Sequence, residues 1–383
     1  MTLNLIADQV INGKIYPSLA QHDDFDRHYP YTIPLRLQEY CTAHNVSLNI
    51  YNIENQFPTK TFYPIGIGFF DFSIDYIDLL PSRVYQRLQF GDFKLLFYYH
   101  EGDNPVKIKQ RLDVLCSEHR LPQNCYVFVS GNTAAKSLPN FVYFTDFELW
   151  YYQRNRTSPA LKIHSELRER DYTVLNRLHK TWRAVVMSDM KRNFILDNSY
   201  WSYCESGSVN SNECAIEIDM LSGLRHSTEQ FLNHSPYICD ELNHDQRNDH
   251  SYVIAKYHEN SYCNIVIETH FDIENSGAFI SEKTFKPIKH GQLFHVVGPA
   301  GSLQVLRDLG YSVFDSIFDN SYDLESNATK RWKALLRLIY FTKSNMHNIF
   351  KLCKSEIEHN QQLFQANKSA RLNTLIKEIN EHY

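Results

Sequence analysis

At 383 residues the chain exceeds what one hydrophobic core of ordinary size accommodates, and its length suits two domains. Its 43% apolar and 22% charged content is that of a globular protein, and no apolar run approaches the ~18 residues that a membrane-spanning helix needs. A net charge of −5 excludes an overall basic field of the kind that drives generic binding to nucleic-acid phosphates, a local patch apart. The first residues, Met1 to Ile11, lack a basic n-region, a long apolar core and a small-residue cleavage site, so a soluble, cytoplasmic protein is expected. The eight cysteines are scattered, with no CxxC pair and no Cys/His spacing for zinc, which predicts reduced thiols.

In chain order, strands are predicted at Thr2 to Ala7, Ser47 to Tyr51, Phe93 to Tyr99, Tyr126 to Ser130 and Phe141 to Tyr143. Between the third and fourth, Val106 to Glu118 carries Ile108, Leu112 and Leu115 at helical spacing, so Phe93 to Ser130 reads strand, helix, strand. The polar stretch Leu149 to Arg170 predicts a linker and hinge, which divides the chain into an N-terminal Rossmann-like domain (1–155) and a second domain (171–326). There Tyr172 to Leu175 predicts a strand, and His179 to Phe194 a helix with Trp182, Val185, Val186, Met190 and Phe194 at the 3.6-residue period. The Asn-, Ser- and His-rich stretch Ser199 to Asp249 has no legible pattern. Beyond it come a strand at Ile265 to Ile267, a helix at Ser281 to His290, a strand at Phe294 to Val297, a helix at Ser302 to Leu309 and a strand at Tyr311 to Phe314. Gly291 and Gly310 end the two helices, and Pro287 keeps the first short or kinked. From Asn327 a helical extension with Trp332, Leu335, Leu336, Leu338 and Ile339 is expected to pack back across the fold (327–383). The class is therefore α/β, doubly wound, with C-terminal helices.

Doubly wound sheets bind ligands beyond the carboxyl ends of their strands. Two clusters fall there. In the first, Asn176, Arg177, His179, Lys180 and Arg183 surround the start of a helix, where cations oppose the macrodipole unless an anion is bound. The competing reading is a solvated basic turn paired with Glu166, Glu169 and Asp171. In the second, Glu268 ends a buried strand and suits ribose hydroxyls, Ser281 fits an N-cap, Glu282 suits the first turn or a ribose, and Lys283 and Thr284 point to phosphate or ribose. The competing reading is an ordinary N-cap with an exposed ion pair.

The order Ile265-Val266-Ile267-Glu268-Thr269, Phe279-Ile280-Ser281-Glu282-Lys283-Thr284, Pro287-Ile288, Gly291 and Val297-Gly298-Pro299 resembles the donor motif of fucosyltransferase-like and exostosin-like glycosyltransferases of the GT-B fold. Thr173-Val174-Leu175-Asn176-Arg177 resembles the opening of that donor domain. Segments such as Phe97 to Asp103 and Val129 to Asn132 are also similar to glycosyltransferase-like proteins of phages and marine bacteria. The resemblance spans about residues 171 to 320. It implies two Rossmann-like domains facing across a cleft, a nucleotide-sugar donor (UDP- or GDP-sugar), and donor contacts from Arg177, Lys180, Arg183, Glu268, Glu282 and Lys283. His270 departs from the Asn-Ser that often follows the Glu, which leaves the choice of sugar open.

Such a transfer needs its leaving diphosphate neutralised and, for inversion, a base for the acceptor hydroxyl. Arginine and lysine serve the first need without metal, and the tidy Asp-x-Asp, Asp24-Phe25-Asp26, lies in a polar run rather than after an apolar strand, so no metal is predicted. Asp103, Glu101 and His100 follow a strand and are the base candidates, although Glu101 to Pro105 also reads as a plain turn. Ser130, Gly131 and Asn132 end the next strand on the acceptor side. The expected reaction is an inverting, metal-independent transfer to a hydroxyl of a glycan or of a modified DNA base. An inactive nucleotide- or glycan-binding module is the alternative, and a dehydrogenase is disfavoured because no GxGxxG follows a strand.

Overall fold

The structure, a computed structural model, describes residues 2–7, 9–11, 14–16, 33–67, 70–209, 223–239, 250–271 and 277–383. Asp24-Phe25-Asp26 and much of the illegible stretch after Ser199 lie outside the described residues. The chain divides into two compact units, Met1–Leu149 with Asn367–Tyr383, and Trp150–Ala366.

The first unit begins with β1 (Leu3–Ala7), a short antiparallel pair β2 (Gln9–Ile11) and β3 (Lys14–Tyr16), and α1 (Ile33–Ala43). It continues through β4 (Leu48–Asn52), β5 (Thr61–Ile67), α2 (Ser82–Gln89), β6 (Lys94–Tyr99), α3 (Pro105–Glu118), β7 (Tyr126–Ser130) and β8 (Phe141–Tyr143). The six main strands form one parallel sheet in the order β4-β1-β5-β6-β7-β8. β6 and β7 are apolar along almost their whole length because both faces are covered, as parallel strands require. Much of the high aromatic content is core here: Phe97, Phe128 and Phe141 stack in sequence, with ring centroids 5.9 and 4.9 Å apart. Asn104 caps α3 by accepting from the amides of Val106 and Lys107, and Pro105 occupies the first helical position, where no amide is needed. The last helix, Ser369–Glu381, belongs to this unit and buries Leu372, Leu375, Ile376 and Ile379.

β5 went unforeseen. Its sequence contains Pro64 and Gly66, which argue against a strand. Pro64 falls past Phe62, the last residue paired with β1, where the strand pairs with β6 alone.

The division between units falls inside α4 (Asp146–Asn155), so the polar stretch begins as helix. The rest of it is not a free linker. Arg168 is buried, donates to the carbonyls of His258 and Ser261, and lies 4.1 Å over the ring of Phe350. The second unit then runs β9 (Arg170–Asn176), α5 (Thr181–Arg192), β10 (Ser199–Tyr203), α6 (Arg225–Asn233), α7 (Ala255–Glu259) and β11 (Ser261–Ile267). It closes with α8 (Glu282–Lys289), β12 (Leu293–Val297), α9 (Ser302–Asp308), α10 (Ala328–Thr342), α11 (Met346–Leu352) and α12 (Lys354–Gln365). Its sheet is parallel throughout, in the order β10-β9-β11-β12. Among the described residues no helix is long and apolar enough to cross a membrane.

Two expectations fail here. Tyr311, Val313 and Phe314 are buried, but among the described residues the segment pairs with no strand, because the Asn360 side chain donates to the Ser312 carbonyl at 2.8 Å and accepts from its amide at 2.7 Å, doing a neighbouring strand's work. Phe194 lies beyond α5 in the left-handed conformation (φ 56°), and its ring is 69% exposed instead of facing the core. Pro287 acts as anticipated. α8 is eight residues long, and Gly291 (φ 67°) follows it.

Candidate functional site

In the second unit the strand order reverses between β9 and β11, which opens a crevice at their carboxyl ends. The residues that follow these two strands are the two clusters singled out above. They meet at Glu268 and Thr269.

Glu268 is fully buried, and both carboxylate oxygens are taken by protein donors. Oε1 accepts from the Ser281 amide at 3.1 Å and Thr284 Oγ1 at 2.5 Å, and Oε2 from Ser281 Oγ at 2.6 Å and the Thr269 amide at 3.3 Å. Its task is therefore to bind the start of α8 to the end of β11, not to meet a ribose. Ser281 caps α8 as expected, accepting from the Lys283 amide. Arg183 is likewise turned inward. Its guanidinium is buried and donates to the carbonyls of Leu178 (3.2 Å) and Glu268 (2.9 Å), which fastens the β9–α5 turn to β11. Burial pulls it below its usual pKa against the opposing attraction of the Glu268 carboxylate. Asn176 is buried against Met187, and Thr284 is buried on Glu268.

What faces outward is a different subset. Lys180 donates to the Thr269 carbonyl at 2.8 Å, and Lys283 lies 3.3 Å from Thr269 Oγ1 and 3.2 Å from a Glu282 oxygen. Arg177 stands 3.5 Å from His250, which in turn is 3.5 Å from Glu282. Burial alone would raise the Glu282 carboxyl, but Lys283, a hydrogen bond from His250 and Lys286 outweigh it and hold it well below the usual carboxylate range. Two cations from two helix starts thus meet at Thr269, and Arg177 reaches the same cluster through His250 and Glu282, an arrangement suited to an anion. At the neighbouring strand end that place is taken. The Asp323 carboxylate accepts from the Leu303 and Gln304 amides at the start of α9.

His179 forms the third wall. Its Nδ1 is 2.7 Å from the Tyr203 hydroxyl and its Nε2 is 3.1 Å from the Ser208 carbonyl, while its amide donates to Glu205. Tyr203, Glu205, Gly207 and His250 were missed because they lie in or beside the stretch with no legible period. The one available signal was a glycine soon after an aromatic run. A Cβ on Gly207 would lie 2.3 Å from the His179 ring. Gly207→Ala is accordingly expected to expel the ring and lower the thermal midpoint by an amount equivalent to about 1–3 kcal/mol. Adding His179→Ala should restore most of the loss in a thermal melt; no restoration would place the strain elsewhere.

In the first unit, His100, Glu101 and Asp103 follow β6, and Ser130, Gly131 and Asn132 follow the adjacent β7. Ser130 and Asn132 are fully buried, which removes them from contact with an acceptor. Asn132 donates to the Gly102 carbonyl at 3.0 Å and so ties the two loops together, and Gly131 is buried between them. Asp103 accepts the Tyr99 hydroxyl. Glu101 keeps 29% of its side chain exposed, with His100 at 3.6 Å.

Two units, each built on a doubly wound parallel sheet, with helices at the C-terminal end of the chain, define an α/β protein. The chain matches no protein-family model and no curated protein. Three solved structures align over most of it. An alpha,alpha-trehalose-phosphate synthase (UDP-forming) from Burkholderia vietnamiensis shares 10% identity over 90% of this chain and 73% of its own, with a TM-score of 0.29. A DNA-modifying beta-glucosyltransferase, solved in the presence and absence of uridine diphosphoglucose, shares 11% over 98% and 100%, with a TM-score of 0.32. A T4 phage BGT mutant in complex with UDP-glucose shares 11% over 95% and 99%, with a TM-score of 0.30.

Proposed function

We propose that the second unit binds the diphosphate of a nucleotide sugar at the carboxyl ends of β9 and β11, and that the chain transfers the sugar to a hydroxyl acceptor. The observation that carries this reading is the meeting of Lys180 and Lys283 at Thr269, with Arg177 joined to the same cluster through His250 and Glu282, at the place where the parallel strand order reverses. Lys283 and Arg177 neutralise the leaving diphosphate, so the reading needs no metal. Glu282, held ionised in the same cluster, orients Lys283 and His250 rather than a ribose. The order of Ile265 to Thr269 and Ser281 to Thr284 supports a donor domain of the fucosyltransferase or exostosin-like type. Glu101, paired with His100, is the proposed base. Its side chain remains partly open, whereas the carboxylate of Asp103 already accepts the Tyr99 hydroxyl, and deprotonation by a carboxylate suits inversion.

The test is a thermal-shift screen of the purified protein against free nucleotides and nucleotide sugars, with Arg177→Ala and Lys283→Ala beside it. One nucleoside diphosphate at about 100 times its dissociation constant is expected to stabilise the protein by about 2.7 kcal/mol. Each variant should weaken that ligand roughly 10- to 100-fold, the worth of a charge-assisted hydrogen bond. Stabilisation by no nucleotide, or equal stabilisation of both variants, sinks the assignment.

A further inference from the structure

In a chain of net charge −5, no carboxylate occurs from Ser326 to Ser355, while seven lysines and arginines do. Most of that segment is α10 and α11. α10 buries Arg331, Trp332, Leu335 and Ile339 on one side. The opposite side is exposed at Lys330, Lys333, Arg337, Tyr340 and Phe341, spacings of three and four residues that form a single stripe. Two contacts extend the stripe onto α5. Trp332, next to Lys333, donates to the buried Asp189 carboxyl of α5, three residues before Arg192, and both cations act on that carboxyl. Lys343, lying 4.3 Å over the Tyr340 ring, donates to the Asn193 carbonyl, next to Phe194. Carboxylates near this region are Asp189, which accepts from the Trp332 indole, Asp171, which accepts from Asn198, and the exposed Asp197, three residues after Phe194. Among the described residues Lys330, Lys333, Arg337 and Arg192 form no ion pair.

Within this basic field Phe341 is 73% exposed, Phe194 69% and Tyr340 47%. Phe194 also holds a left-handed backbone, where glycine is ordinary and a bulky side chain is strained. A strained, exposed phenylalanine beside an exposed Tyr-Phe pair, ringed by cations, has the chemistry of a face that lies in a lipid interface. The rings enter the acyl boundary while lysine and arginine meet anionic headgroups. A nucleic-acid backbone would answer the charge, but it would leave the apolar rings of a convex helix ridge in water.

We propose that this face of the second unit docks the protein on an anionic lipid surface. The measurement is co-sedimentation of the full chain with vesicles of phosphatidylcholine alone and of phosphatidylcholine mixed with phosphatidylglycerol, at low and high salt. Binding is expected only to the mixed vesicles and should fall with salt. Lys333→Glu with Arg337→Glu is expected to weaken it at least about tenfold. Phe194→Gly with Phe341→Ser should weaken it as well, and because glycine suits the backbone at 194, that loss will come without a fall in thermal midpoint from that position. Binding to neutral vesicles alone, no binding to either, or unchanged binding by both variants overturns the proposal. So does tighter binding to duplex DNA at matched charge that the Lys333→Glu, Arg337→Glu variant abolishes, an outcome that reassigns the face to nucleic acid.

Discussion

Replacing Glu268 with alanine is expected to destabilise the second unit by about 3–5 kcal/mol, because it strips the acceptor from four buried or half-buried donors at once. Neutral single hydrogen bonds contribute about 1 kcal/mol each, but unpaired donors left in a buried site cost more than the bonds were worth. The loss also removes the counter-charge of the buried Arg183 guanidinium. For a unit of this size the thermal midpoint should fall by roughly ten degrees. Glu268→Gln keeps the shape and one acceptor but turns an amide NH2 toward a donor, so a smaller loss of about 1–2 kcal/mol is expected. Calorimetry of the two variants decides the matter. An unchanged midpoint with a weakened nucleotide would hand the carboxylate back to a ribose and refute its structural role.

The second large effect is acid lability. His258, His290 and His295 are buried in the second unit. Burial lowers His258 to about 4, against a hydrogen bond to Gln292 that raises it, and lowers His295 to about 4; burial and the neighbouring His258 push His290 lower still. In the unfolded chain each titrates near ~6.5. The folded state therefore binds fewer protons, and the stability it gains is fully present above about pH 6.5 and is lost as pH falls toward 4. Each histidine contributes a slope of about 1.4 kcal/mol per pH unit in that window, so the three together remove several kcal/mol by about pH 5, a large share of an ordinary domain's stability. The raised Asp189 and Asp323 carboxyls act in the opposite sense, so they offset part of the loss in the carboxylate range. Thermal midpoints taken from about pH 7.5 to 5 should fall steeply. Neither ring nitrogen of His295 has a hydrogen-bond partner among the described residues, and the ring packs 4.8 Å from Phe318. His295→Leu should therefore flatten the slope at little cost near neutral pH. A midpoint that ignores pH over this range would mean that these rings accept protons in place.

The elements legible in the sequence were those whose period or punctuation is local. The β6–α3–β7 unit, the Ser281 cap, the short α8 with Pro287 and the strands at β11 and β12 all declare themselves within a few residues, because apolar spacing and capping chemistry act over one or two turns. β10 did not, since Ser199-Tyr200-Trp201-Ser202-Tyr203 has neither an aliphatic run nor an alternation and becomes a strand by pairing with β9.

That the two loops after β9 and β11 carry cations and carboxylates was also legible in the sequence. Which of those residues point outward was not. Glu268 and Arg183 look, in sequence, like ligand groups at a strand end and a helix start. Long-range partners turn them inward, Ser281 and Thr284 across a loop for the one and the end of β11 for the other. Tyr311 to Phe314 reads as a strand until Asn360 satisfies its backbone. The sequence by itself determined the α/β class, the sheet-forming segments with strong local patterns and the polar character of the two loops that follow β9 and β11. Tertiary structure alone decided the strand order that makes those loops neighbours and the division of their polar groups between holding the fold and facing a ligand. A buried donor or acceptor takes whatever partner the packing brings within ~3 Å, and that distance is not written in any local window.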